Sequence, residues 1–121
     1  MPKLLIVDDE IDVREFAKNF FRKRGIDVFT ASGGAEALGV ISAQSPELVL
    51  LDIRMDGMSG MEALRSLRQQ GSNIKVIMIS GVEDEGIVQE AQQLGVAGFI
   101  HKPLVLEELE KVVMAELSLH S

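Results

Sequence analysis

Residues 48–52 read Leu-Val-Leu-Leu-Asp. The four apolar residues do not alternate with polar ones, so they predict a strand covered on both faces, with Asp52 just beyond it. Four other short runs have strand character: residues 3–7, 26–30, 74–79 and 98–101. Residues 3–7 are followed by Asp8 and Asp9, residues 74–79 by Ser80 and Gly81, and residues 98–101 by Lys102 and Pro103.

Helix-like segments separate and follow these runs. Val13, Phe16, Ala17 and Phe20 recur at helical spacing, with Gly25 as a stop. Ala35, Leu38 and Ile41 form a second stripe ending before Pro46. Met61, Leu64 and Leu67 form a third, ended by Gly71, after a loop rich in Gly and Met. A fourth helix opens on Glu83, Asp84 and Glu85, acids favoured by the macrodipole, and carries Ile87, Ala91 and Leu94 up to Gly95. The last carries Leu106, Leu109, Val112, Val113 and Leu117. Strict alternation of strands and helices predicts an α/β fold, a parallel sheet with helices on both faces. Right-handed crossovers leave few topologies for it. The alternation uses the whole chain, so one domain over residues 1–121 is expected, with residues 118–121 a frayed end.

Composition narrows the function. A chain of 121 residues can build one sizeable core but not two. With five Phe and no Trp or Tyr, that core is mostly aliphatic. Twelve basic and 19 acidic residues give a net charge of −7, which argues against direct nucleic-acid binding. The absence of Cys removes disulfides and thiolate metal sites. No apolar stretch is long enough for a bilayer and no signal peptide is recognised, so a soluble cytoplasmic protein is expected.

Ligands of open parallel sheets bind beyond the carboxyl ends of the strands. Asp8, Asp9, Asp52, Ser80 and Lys102 all fall at those ends. Carboxylates within ~5 Å of each other repel by roughly 3 kcal/mol per pair at an effective dielectric of ~20. Such a cluster calls for protons or a cation, and an oxygen-only ligand set favours a hard ion, Mg2+ above others. One carboxylate can also act as a nucleophile toward phosphorus and form an acyl phosphate. Asp52 is the better candidate, because it stands alone while Asp8 and Asp9 are adjacent and suit metal ligation. Lys102 would neutralise charge on the transferring group, and the Ser80 hydroxyl would hydrogen-bond it.

These residues carry a family resemblance. Residues 5–10 (Leu-Ile-Val-Asp-Asp-Glu), residues 51–55 (Leu-Asp-Ile-Arg-Met) with Met58 and Gly60, the pair Ser80-Gly81, and Gly95 with Phe99-Ile100-His101-Lys102-Pro103 resemble the receiver domain of bacterial response regulators. The resemblance implies a flavodoxin-like three-layer sandwich, with a five-stranded sheet in the order 2-1-3-4-5 and five helices. It implies phosphoryl transfer to Asp52 from a histidine kinase or histidine phosphotransfer protein. It also implies Mg2+ at Asp8, Asp9, Asp52 and the Arg54 backbone carbonyl, a switch pair of Ser80 and Phe99, and a cis Lys102–Pro103 bond. The partner-binding face is then the fourth helix, fifth strand and last helix, and phosphorylation can drive homodimer formation. Such a domain catalyses its own modification and is not an enzyme in the ordinary sense. The side chains at Arg54 and Val82 would tune the phosphoryl lifetime.

The chain departs from the family pattern at three positions. Asp56 replaces a usual Pro, Leu104 a usual Phe, and Val105 a usual helix-capping residue. Taken singly, each acid would be a turn or cap residue and Lys102 a solvated surface lysine. The basic run Lys18, Arg22, Lys23 and Arg24 reads as a solvated helix end rather than a docking surface. A flavin carrier is disfavoured because Asp8-Asp9-Glu10 would repel phosphate and no Trp or Tyr can stack on the ring. A small-molecule phosphatase is disfavoured because Arg54 stands where a second Asp is usual.

Overall fold

The computed structural model describes residues 2–55, 57–81 and 85–117. Strands and helices alternate as β1 (Lys3–Val7), α1 (Ile11–Arg22), β2 (Asp27–Ala31), α2 (Gly34–Gln44), β3 (Leu48–Asp52), α3 (Gly60–Gln69), β4 (Lys75–Ser80), α4 (Glu85–Gln93), β5 (Gly98–His101) and α5 (Leu106–Glu116). The strands form one parallel sheet in the order β2-β1-β3-β4-β5, the expected flavodoxin-like topology. Three strands differ from the expected runs by one residue: β2 is shifted to Asp27–Ala31, β3 extends through Asp52, and β4 is shifted to Lys75–Ser80.

Alternation along each strand divides the core into two layers. Leu4, Ile6, Leu48, Leu50, Ile77, Ile79 and Ile100 face one side, where α1 supplies Ala17 and Phe21 and α5 supplies Leu109 and Val113. Leu5, Val7, Val49, Leu51, Val76 and Met78 face the other, covered by Ala37 of α2, Leu64 of α3 and Ala91 of α4. Every residue of β3 is buried, as its unbroken apolar run requires.

Two helices present faces different from those expected. In α1 the core positions are Ala17 and Phe21, while Phe16 is 59% exposed. Phe16 lies one residue, about 100°, around the helix from Ala17. Phe21 is fully buried, and Phe20 packs edge-on against it at 5.0 Å under the Arg24 guanidinium. In α2 the buried alanine is Ala37, two residues on, so Ala35 turns outward. The glycine stops hold where the chain leaves α1 and α4: Gly25 and Gly95 take φ values of 81° and 75°.

Two local devices were not anticipated. Ser59 and Glu62 form a reciprocal capping box at the start of α3, satisfying two otherwise unpaired N–H groups. Arg68 donates to the carbonyls of Leu94, Ser72 and Ile74 at 2.6, 3.0 and 3.0 Å, tying the ends of α3 and α4 to the start of β4. Val105 offers α5 no side-chain cap, as expected. The expected acids Glu83 and Asp84, and the tail 118–121, lie outside the described residues.

The different exposure of the two α1 phenylalanines is directly measurable by denaturant unfolding. Phe21→Ala is expected to lower the unfolding free energy by about 3–5 kcal/mol, and Phe16→Ala by less than about 0.5 kcal/mol. Equal losses would show that the core stripe of α1 has been assigned to the wrong residues.

Candidate functional site

The topology aligns the ends of the central strands. Val7 of β1 pairs with Leu51 of β3, so Asp8 and Asp52 emerge side by side. β4 pairs Ile79 with Asp52 on one side, and Ser80 with His101 of β5 on the other. Lys102 follows His101, and its backbone N–H donates to the Ser80 carbonyl at 2.7 Å. From there its side chain reaches back past β4, and Nζ donates to Asp52 Oδ2 at 2.8 Å. The sequence-predicted Asp8, Asp52, Ser80 and Lys102 are therefore gathered at one sheet edge, and the Lys102–Pro103 bond is cis.

Backbone contacts hold these groups in place. Asp52 Oδ1 accepts from the Arg54 N–H at 3.1 Å, and Asp8 Oδ1 accepts from the Glu10 N–H at 2.9 Å. Arg14 Nη1 donates to the Asp8 carbonyl at 2.7 Å, linking α1 to the same turn. Gly60 opens α3 directly against the end of β3, and its N–H donates to the Ile53 carbonyl at 3.0 Å. A Cβ at Gly60 would overlap the Asp52 carbonyl oxygen, which is backbone and cannot yield. Only glycine allows this approach, and α3 thereby braces the strand end that carries Asp52.

The electrostatics are those of buried like charges beside one cation. Asp8 and Asp52 are 0% and 1% exposed. Burial, offset by the Glu10 N–H and reinforced by the Asp52 charge, pushes the Asp8 carboxyl up to about 6 from 3.8. Partial burial disfavours the Lys102 ammonium, but its hydrogen bond to Asp52 and the charges of Asp52, Asp8 and Glu10 outweigh this and raise its pKa. Asp8 Oδ2 is the one buried side-chain nitrogen or oxygen among the described residues without a hydrogen-bond partner. An ionised oxygen in that position has no hydrogen-bond donor, and Lys102, bonded to Asp52, offsets its charge only in part. The carboxylate oxygens of Asp8, Asp9 and Glu10 lie within 4.8 Å of one another. A buried orphan oxygen, adjacent exposed carboxylates and an all-oxygen donor set fit a hard divalent cation such as Mg2+.

The remaining expected positions are more dispersed. Asp9 and Arg54 are exposed at the rim, and Phe99 is half-buried against the α3–α4 side of the sheet. Met61 is buried, while Met55 and Met58 are partly buried in the loop beside it. Asp56 and Val82 lie outside the described residues. Two participants escaped the sequence reading. Glu10 joins the acidic cluster, where its adjacency to Asp8 and Asp9 was the available signal. His101 contacts Ser80, a pairing that depends on strand register.

Fold and site together define a receiver module of phosphorylation-based signalling. The model of the response regulator receiver domain family matches residues 4–114, and the chain belongs to that family. It is 34% identical over 119 residues to sporulation initiation phosphotransferase F of Bacillus subtilis, covering 98% of this chain and 96% of that protein. It is 40% identical over 116 residues to the chemotaxis protein CheY of Listeria monocytogenes, covering 92% and 98%. The receiver domain of Francisella response regulator 1452 superposes with a TM-score of 0.89 at 30% identity, over 98% of each chain. Receiver domains are signalling switches rather than ordinary enzymes. They use Mg2+ at an acidic pocket and interact with histidine kinases or phosphotransfer proteins and with output domains. Among the described residues no helix is long and apolar enough to cross a membrane.

Asp8 is the residue whose titration reports this electrostatic balance. The folded protein binds its proton more tightly than the unfolded chain, where Asp titrates near 3.8. Its contribution to stability is fully present below pH 3.8 and is lost as pH rises through about 6. At about 1.4 kcal/mol per pH unit, the loss by neutral pH is on the order of 3 kcal/mol. In metal-free buffer the Asp8 carboxyl carbon, followed by NMR, is expected to titrate near pH 6, and a midpoint at 3.8 would contradict the burial account.

Proposed function

We propose that residues 1–121 form a receiver domain that accepts a phosphoryl group on Asp52 from a histidine of a sensor kinase or phosphotransfer protein. The observation that carries this reading is the 2.8 Å contact between Lys102 and Asp52 beside buried Asp8. An Asp52 carboxylate oxygen attacks phosphorus, the bond from phosphorus to the histidine nitrogen breaks, and the imidazole leaves with the electron pair and takes a proton. Lys102, already at Asp52 Oδ2, stays beside the transferring group and offsets its negative charge. The Ser80 hydroxyl, buried at the end of the neighbouring strand, then donates to a phosphoryl oxygen.

Asp8, Asp9, Asp52 and the Arg54 carbonyl would hold Mg2+, with Glu10 at the rim. An ion held by these residues would supply positive charge for the phosphoryl oxygens during transfer. Phe99 follows Ser80 on β5, and the face made by α4, β5 and α5 changes its affinity for an output partner. The phosphodonor would approach along an apolar groove lined by Phe16, Ala17, Pro103 and Leu104, which opens beside Asp8 and Lys102. The exposure of Phe16 is explained by that role better than by the core.

Incubation with a small phosphodonor and Mg2+ is expected to add the mass of one phosphoryl group to the wild-type protein and none to Asp52→Asn. Undiminished modification of Asp52→Asn would refute the assignment.

A further inference from the structure

Ser80 and His101 stand directly opposite each other in the β4–β5 ladder. They lie on the same face of the sheet as the register pair Met78 and Phe99 one step earlier, because side chains alternate with period two. Ser80 Oγ is 3.2 Å from His101 Nδ1. Ser80 is 1% exposed, so its hydroxyl proton needs an acceptor within the protein. The exposed imidazole can keep its own proton on Nε2, where water accepts it, leaving the Nδ1 lone pair for Ser80.

A serine hydroxyl carries a single proton. It cannot donate to Nδ1 and to a phosphoryl oxygen on Asp52 at the same time. We propose that His101 is a positioning residue that holds the Ser80 hydroxyl on the β5 side in the unmodified protein, so that switching requires this hydrogen bond to be surrendered. The proposal deepens the reading of Asp52 and Ser80 given above and rests on it. His101 also precedes Lys102, so the strand that delivers the lysine to Asp52 delivers the restraint on Ser80 as well. The resting state therefore gains a contact that the phosphorylated state lacks, and the identity of residue 101 sets how far the equilibrium leans toward rest.

Fluoroberyllate, a phosphoryl mimic, tests this in the presence of Mg2+. The readout is the half-saturating concentration, from the 19F NMR signal of the bound species, because the chain has no Trp or Tyr to report binding by intrinsic fluorescence of those residues. His101→Leu is expected to bind the mimic roughly three- to tenfold more tightly, the equivalent of one net hydrogen bond. His101→Asn, whose Oδ1 supplies an acceptor near the place of Nδ1, is expected to restore the wild-type value. In a Ser80→Ala background His101→Leu is expected to change nothing. His101→Val serves the same purpose if His101→Leu does not fold. Unchanged binding by the apolar variants, or an equal gain in the Ser80→Ala background, would overturn the proposal while leaving the Asp52 reading intact. No binding by the wild-type protein would overturn the Asp52 reading and this proposal with it.

Discussion

Two buried carboxylates, Asp8 and Asp52, emerge side by side from adjacent parallel strands, with the Lys102 ammonium bonded to Asp52. Hydrophobic burial pins both strands, since β1 and β3 are covered on each face by helices. The acids cannot separate without slipping register, and a slip of one residue would turn every core side chain to the wrong layer. The fold thus holds together a charge arrangement that would disperse in an unstructured chain. Lys102 answers part of the negative charge, yet Asp8 Oδ2 remains without a partner. That residual imbalance is what a bound cation would relieve, and it is a local cost to stability that the rest of the core must offset.

The surrounding structure serves the same edge. α3 packs against the end of β3 through Gly60, where any side chain would collide with the Asp52 carbonyl. Its capping box stops the helix from fraying at the point of contact. Arg14 reaches from α1 to the Asp8 carbonyl, so the helix that borders the apolar groove is coupled to the acidic turn. Arg65 and Glu90 join α3 to α4 at 2.5 Å on the opposite side of the sheet. As an exposed pair it contributes little to stability. The elements nearest the acids are braced by backbone approach and burial, whereas α4 is attached more lightly, with Ala91 its one buried residue.

Much of this was legible in the sequence because unbroken apolar runs and their terminal residues are strong signals. The fully buried β3 announces a covered parallel strand, and alternation with helices then brings Asp8, Asp52 and Lys102 to one edge. The α1 stripe was not legible. Phe16 with Phe20 and Ala17 with Phe21 are both spaced i, i+4, and periodicity cannot choose between them. Packing chooses, and it buries the pair that includes the fully enclosed Phe21. In α2, Ala35 with Leu38 and Ala37 with Ile41 are both at helical spacing, and packing again chooses, burying Ala37. The contact between Ser80 and His101 depends on the register of two strands 21 residues apart, which no local pattern records. The motif glycine at 60 was visible, but its reason, the approach of α3 to the Asp52 carbonyl, was not.

The most direct test of the central claim is denaturant unfolding of the wild-type protein and Asp8→Asn at pH 7.5, with and without Mg2+. Asparagine keeps an oxygen for the Glu10 N–H while removing the charge. If buried like charge is the constraint that Mg2+ relieves, Asp8→Asn will be the more stable protein without metal. Mg2+ will then stabilise the wild type and leave the variant nearly unchanged. A variant less stable than wild type in metal-free buffer, with both proteins gaining equally from Mg2+, would contradict the account.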